Sequence, residues 1–196
     1  LVVAPAGALW SLLPLGASER LGLGADGYGA LFGALGVGAI VGAFVLGQVR
    51  DRVSTNALLT AAGALYAAAL AVIVLTLSVP AALATLLLAG VAWMAMTSTL
   101  AAELQLFLPV WVRARALAVF MLTFTGSMTV GALVWGLVAE AFGLQPTYLV
   151  AATVLLAGVV AGVFLRVPET GHLDPAPTIY WPEPRLAFDP EPDSGP

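Results

Sequence analysis

The chain contains no cysteine, which excludes a disulfide framework, a thiol nucleophile and a cysteine-held iron–sulfur cluster. It contains no lysine and has a formal net charge of −4, a balance that argues against a nucleic-acid partner. Its single histidine, His172, lies near the C-terminus. Charged residues make up only 9% of the chain, and residues 53–102 hold none at all. Similar uncharged gaps separate Asp26 from Arg50, Arg115 from Glu140, and Glu140 from Arg166. A charge at the centre of a bilayer costs about 3 kcal/mol or more, so such spacing marks serial membrane crossing. A soluble helix would need a polar face toward water. The chain reads as a polytopic membrane protein.

What is present agrees: 61% of the 196 residues are hydrophobic and mean hydropathy is +1.01. An apolar core of about 30 Å needs about 20 residues per helix. Six crossings are expected, at residues 1–16, 27–49, 56–77, 81–106, 116–138 and 147–165. Helices rather than barrel strands follow from these lengths, because a spanning strand takes about 10 residues and alternates polar with apolar. The first segment is short, carries Pro5 and Pro14, and has no basic residue before it. It therefore resembles no signal peptide, and the expectation is a fragment whose beginning lies upstream.

Arginine placement sets the expected orientation. The loops holding Arg50 with Arg52 and Arg113 with Arg115 share one side with Arg166, and only Arg20 lies opposite. The arginine loops and the C-terminus are thus expected in the cytoplasm. Residues 1–167 form the expected six-helix bundle. Residues 168–196 form a cytoplasmic tail, expected to be disordered. From Val167 onward lie eight of the thirteen prolines and six of the eleven acids, too polar a composition to order itself by burial.

The expected helices differ in a pattern. The second carries Gly33, Gly38 and Gly42, and the fifth carries Gly126, Gly131 and Gly136; small residues let helix backbones approach in lipid. The third and sixth are smooth Ala/Leu/Val runs suited to facing lipid. The first and fourth carry the polar and aromatic content, with Trp10 and Ser11 in one and Trp93, Thr97, Ser98 and Thr99 in the other. The order repeats every three helices, the trace of a 3+3 inverted repeat. The alternative is that glycines merely pack one compact bundle.

Two loops carry motifs. Gly47-Gln48-Val49-Arg50-Asp51-Arg52 resembles the Gly-x-x-x-Asp-Arg signature of the major facilitator superfamily, with Ser54 where a second Gly is usual and Asn56 and Ala57 in place of a basic pair. The Asp can sit at a neighbouring helix N-terminus and the Arg can bridge to another acid, making a latch; plain positive-inside charge is the other reading. Pro109-Val110-Trp111-Val112-Arg113-Ala114-Arg115-Ala116 is similar to the loop between helices ten and eleven of that superfamily. Arg113 or Arg115 would pair with Asp51 or Glu103. Gly136 through Gly143 repeats the Gly-x-x-x-acid rhythm with Glu140. The membrane part thus resembles helices seven to twelve of a major facilitator transporter. Residues 13–29, Trp111–Ala118 and Trp181-Pro182-Glu183-Pro184 are similar to its enterobactin-exporter-like branch.

The resemblance implies secondary active transport by alternating access. It implies proton-driven efflux of a small amphiphile, siderophore or drug, with no bound cofactor and with an N-terminal six-helix half as partner. Glu103 is the one acid inside an expected crossing, a candidate ion-pair or proton-carrying residue. Trp10, Trp93, Thr97, Thr123 and Ser127 are the candidate cavity residues. Trp93 and Thr97 share a helix face, as do Thr123 and Ser127; the alternative is that these hydroxyls bond their own helix backbone. An intramembrane enzyme is not expected: Ser127 would lack a His or Lys base, and a metal hydrolase would lack ligands. A non-transporting membrane scaffold remains the other function class. Because the chain has no native thiol, cysteines engineered at positions 54 and 114 report the topology cleanly. An impermeant maleimide added to intact cells should label neither, and both should react once the inner face is opened.

Overall fold

The computed structural model describes residues 3–164 apart from residues 51 and 109; the expected tail lies outside the described residues. Among the described residues the chain is all helix: α1 (Val3–Leu21), α2 (Ala25–Val49), α3 (Thr55–Leu75), α4 (Val79–Phe107), α5 (Val110–Phe142) and α6 (Leu144–Phe164). Five of them, α2 to α6, are long and apolar enough to cross a membrane.

The exception is α1, which runs past the Gly16 end expected for the first crossing, to Leu21. It runs through Pro14 and on past Ser18, Glu19 and Arg20, and this content lowers its hydropathy. Pro14 has no N–H to give the Trp10 carbonyl. That content stays on the open side and at the helix end: Pro14, Ser18 and Glu19 are exposed, while Ala6, Ala8, Leu9, Leu12, Leu13 and Ala17 of α1 are buried. Ser18 Oγ donates to the Pro14 and Leu15 carbonyls, and charge near a helix end can reach the headgroup zone.

The fifth helix is also longer than expected, by residues at both ends. The stretch Trp111–Arg115, expected as an interfacial turn, forms the opening turns of α5, with Pro109 just before the helix. No proline interrupts the helix after that, and it continues through Glu140 to Phe142. Only Gly143 then separates α5 from α6, at φ +85°, a left-handed conformation that glycine adopts without strain. Gly22, after α1, plays the same part at φ +63°. At the start of α3, the Ala57 N–H donates to Ser54 Oγ at 3.3 Å. The serine that departs from the loop motif is thus the N-cap of α3.

Consecutive helices α2 and α3 both pack on α4 rather than on each other, while α1 packs on α5 and α6, and α3 on α6. The smooth third and sixth helices do not lie wholly toward the outside. Each buries a stripe, Ala62, Tyr66, Ala69 and Leu70 on α3 and Tyr148, Ala151, Ala152 and Leu155 on α6, at helical spacing. Within this bundle the most exposed helix is α5, where Gly131 and Trp135 are the buried residues among those described.

Glycine sets the closest contacts. A Cβ on Gly38 would run into the Leu87 carbonyl, and one on Gly90 into the Leu35 carbonyl. A Cβ on Gly42 would stand 2.9 Å from Val91 Cα. The backbones of α2 and α4 therefore touch along about two turns, from Leu35 to Gly42 of α2. At the α1–α5 contact, a Cβ on Gly131 would stand 2.5 Å from the Ala4 carbonyl oxygen. By contrast, a Cβ on Gly33, Gly126 or Gly136 meets nothing within 4 Å. Replacing Gly38 or Gly90 by Ala should destabilise the bundle by about 1–3 kcal/mol or prevent its assembly. Replacing Gly126 by Ala should be neutral or stabilising, by up to about 1 kcal/mol. Thermal unfolding of the purified variants in detergent checks both.

Candidate functional site

Two of the expected cavity residues meet. The rings of Trp10 on α1 and Trp93 on α4 lie 5.7 Å apart, centroid to centroid, and both are half-buried. Around them stand aromatic side chains absent from the sequence expectation: Phe32 against Trp10 at 5.5 Å, Tyr66 against Trp93 at 5.7 Å and Phe124 against Trp93 at 5.9 Å. The Trp10 indole N–H lies toward the Tyr66 hydroxyl without reaching hydrogen-bonding geometry. Five helices thus contribute rings to one cluster, and edge-to-face or tilted pairs of this kind attract beyond their buried area. Spacing along one helix could not reveal it, because the partners come from distant parts of the chain.

The hydroxyls turn inward to their own helices. Thr97 Oγ1 donates to the Trp93 carbonyl and Thr123 Oγ1 to the Val119 carbonyl, each at 2.8 Å. Ser98 Oγ donates to the Met94 carbonyl at 2.5 Å. Such bonds satisfy a donor that lipid could not. They leave Trp93 the group on that face best able to meet a ligand by ring contact. Thr99 is buried with its hydroxyl unpaired. Ser127 is half-buried one turn beyond Thr123.

Two other aromatic residues have a different task. Tyr66 Oη donates to the Ala6 carbonyl at 3.1 Å, and Trp135 Nε1 donates to the Ala4 carbonyl at 2.9 Å. Both hold the start of α1, and Trp135 stands one turn after Gly131, which lets the same Ala4 backbone approach. The sequence pattern marks Gly131 as a packing residue but not its aromatic companion. The spacing of four residues between them was the available signal.

At the end of the bundle where α2 and α4 finish, Thr55 Oγ1 donates to Glu103 Oε1 at 2.8 Å. This ties the first turn of α3 to α4 through a hydroxyl the sequence reading did not consider. Arg113 Nη2 donates to the Leu108 carbonyl at 3.3 Å, so this arginine closes the end of α4. Arg52 and Arg115 are exposed. Gly47 is exposed as well, and a Cβ there would meet nothing within 4 Å. Asp51, and with it the geometry of the expected latch, lies outside the described residues. Beside this end, α2, α3 and α4 enclose an apolar recess of about 170 Å³, lined by Leu46, Val49, Leu58, Ala62 and Val91 among others.

The geometry is that of a helical bundle with an aromatic face, hydroxyls satisfied internally and charge confined to the helix ends. No curated protein and no solved structure matches the chain. One family model does, that of the transmembrane secretion effectors of the major facilitator type, and it covers residues 1–196. The chain therefore belongs to the transmembrane secretion effector family of major facilitator transporters.

Proposed function

We propose that this chain supplies one six-helix half of a proton-driven exporter of small amphiphiles, in which two halves rock against each other to alternate access. α1 completes six crossings, and the arginine-bearing ends of α2 and α5 face the cytoplasm of a bacterial cell. Family membership supports membrane transport. The half-transporter reading is carried by the unfilled surface of α2 and α5. These two helices present Gly33, Gly36, Gly126 and Gly136 with nothing against them, beside large exposed side chains such as Phe44 and Leu122. Cβ-free positions on an exposed helix face suit a second helix bundle that comes close and slides.

The internal packing supports the inverted repeat as well. α2 rests on α4 through Gly38, Gly42 and Gly90, while α5 rests on α1 through Gly131, with Gly7 of α1 facing Met128. Exchanging the first three helices with the last three converts one contact into the other. Two triplets built alike and facing opposite ways would pack in this manner.

On this reading the Thr55–Glu103 bond fastens α3 to α4 and does not carry the transported proton. Reconstitution of the protein with its six-helix partner in vesicles, under an imposed pH gradient, tests the proposal. Gradient-dependent flux of an amphiphilic dye is expected, and its absence would favour the scaffold reading. Glu103→Gln keeps an acceptor for Thr55 and should retain that flux. Gly126→Leu should leave the fold intact and lower flux at least tenfold by blocking the close approach. Loss of gradient coupling in Glu103→Gln, with downhill exchange preserved, would instead make Glu103 the proton carrier.

A further inference from the structure

The rings on the open face form a continuous row. Tyr28 meets Phe32 at 5.9 Å, Phe32 meets Trp10 at 5.5 Å, Trp10 meets Trp93 at 5.7 Å, Trp93 meets Phe124 at 5.9 Å, and Phe124 meets Phe120 at 6.0 Å. Every step lies within the centroid range at which aromatic rings attract one another. The row begins in the first turn of α2, at one end of the bundle. It ends in the third turn of α5, counted from the opposite end. The two end steps run along α2 and α5, and the three between them pass from helix to helix.

Four helices build this row from residues as far apart in sequence as 10 and 124, so it is not the stripe of one amphipathic helix. Its rings are also unlike the anchoring aromatics. Tyr66 and Trp135 are buried and spend their donors on α1. The six rings of the row are half-buried or, for Phe32, 41% exposed. Each keeps part of its surface uncovered after packing against its neighbours.

We infer that this row is a ligand-binding track for planar aromatic compounds that carry no negative charge. The inference names a substrate class for the proposed exporter and rests on that reading for its place in transport, although binding to the track is measurable without transport. A flat ring can insert beside successive side chains and exchange one tilted contact for the next. Ring faces carry negative quadrupole potential, which favours a cationic or neutral aromatic and disfavours an anion. None of the six positions is charged, and exposed Asp26 stands two residues before Tyr28. An anionic ligand would therefore find no fixed counter-charge along the row. Aliphatic ammonium ions would find cation–π contact but no ring to stack.

The test uses ethidium, a planar aromatic cation, with the purified protein in nanodiscs of zwitterionic lipid. Anisotropy is read against empty discs, with no gradient present. Ethidium should bind and should resist competition by tetraethylammonium and by naphthalene-2-sulfonate. Trp93→Ala should weaken binding about tenfold, the order expected for a lost stacking partner. Trp93→Phe should stay within about threefold of the parent. Trp111→Phe, an exposed residue away from the row, should bind as the parent does. If Trp93→Ala does not fold, Phe32→Leu and Phe124→Leu carry the comparison, each with a several-fold loss expected.

Failure of the parent to bind ethidium would overturn the inference. So would undiminished binding in the row variants, or displacement of ethidium by tetraethylammonium or the naphthalenesulfonate at concentrations near the Kd of ethidium. Unchanged binding in the variants together with intact gradient-driven flux would remove the track and leave the exporter. Row-dependent binding without any flux would remove the exporter and leave the track.

Discussion

Backbone-to-backbone contact at a few glycines is the constraint on which this bundle depends. In lipid, apolar side chains gain nothing by leaving solvent, so helices associate through close packing and polar contacts. Gly38 and Gly90 bring α2 and α4 so near that a methyl group on either would collide with a carbonyl. Gly131 does the same for α5 and α1 at Ala4. Dispersion between atoms is short-ranged, and a gap of about 1 Å already forfeits up to half of each contact. Those glycines decide which helix pairs form, and the remaining side chains fill the space so defined.

The same arrangement holds α1 by its apolar face. It sits against α5 and α6, touches α2 and α3, and is the helix too polar to be counted as a span by composition. Two aromatic donors fix its start in place, Tyr66 from α3 and Trp135 from α5. A phenol and an indole are well suited to this, because each brings a large apolar body and one directed hydrogen bond.

Much of the architecture was legible from the sequence because charge is so costly in lipid. The uncharged stretch of residues 53–102 already implied two helices with a short turn, and α3 and α4 with their turn near Ser78 occupy it. The glycine pattern marked α2 and α5, but glycine alone does not reveal whether it faces a neighbour. Gly38, Gly42 and Gly131 meet backbone across a contact, whereas Gly33, Gly126 and Gly136 meet nothing within the described residues. Helix ends were least legible where no breaker stands. Trp111–Arg115 looked like a loop because it is charged, yet an arginine-bearing segment can extend a helix into the headgroup zone and keep its charges wet. The aromatic cluster was half legible: Trp10 and Trp93 stood out as rings in apolar helices, while Phe32, Tyr66 and Phe124 looked like ordinary apolar residues until the helices were assembled.

Glycine has two opposite uses here, and the difference bears on how such a bundle could move. Where another backbone lies against it, as at Gly38, it removes the atoms that would hold two helices apart and makes the contact rigid. Where nothing lies against it, as at Gly126 and Gly136, it leaves a shallow, smooth stretch of helix with no knob to lock into a partner. A machine that alternates access needs both: strong contacts within each half, so that the half turns as one body, and weaker, low-relief contacts between halves, so that the turning is not blocked. An interface as tightly interlocked as α2 on α4 would be bistable only at great cost, since packed surfaces resist continuous deformation. The division of glycines between these two settings is therefore the pattern a rocking half-bundle requires. Its open aromatic face lies on α1, α2, α4 and α5, so a ligand on that face would sit beside the proposed sliding surface and could bias the position in which the halves rest.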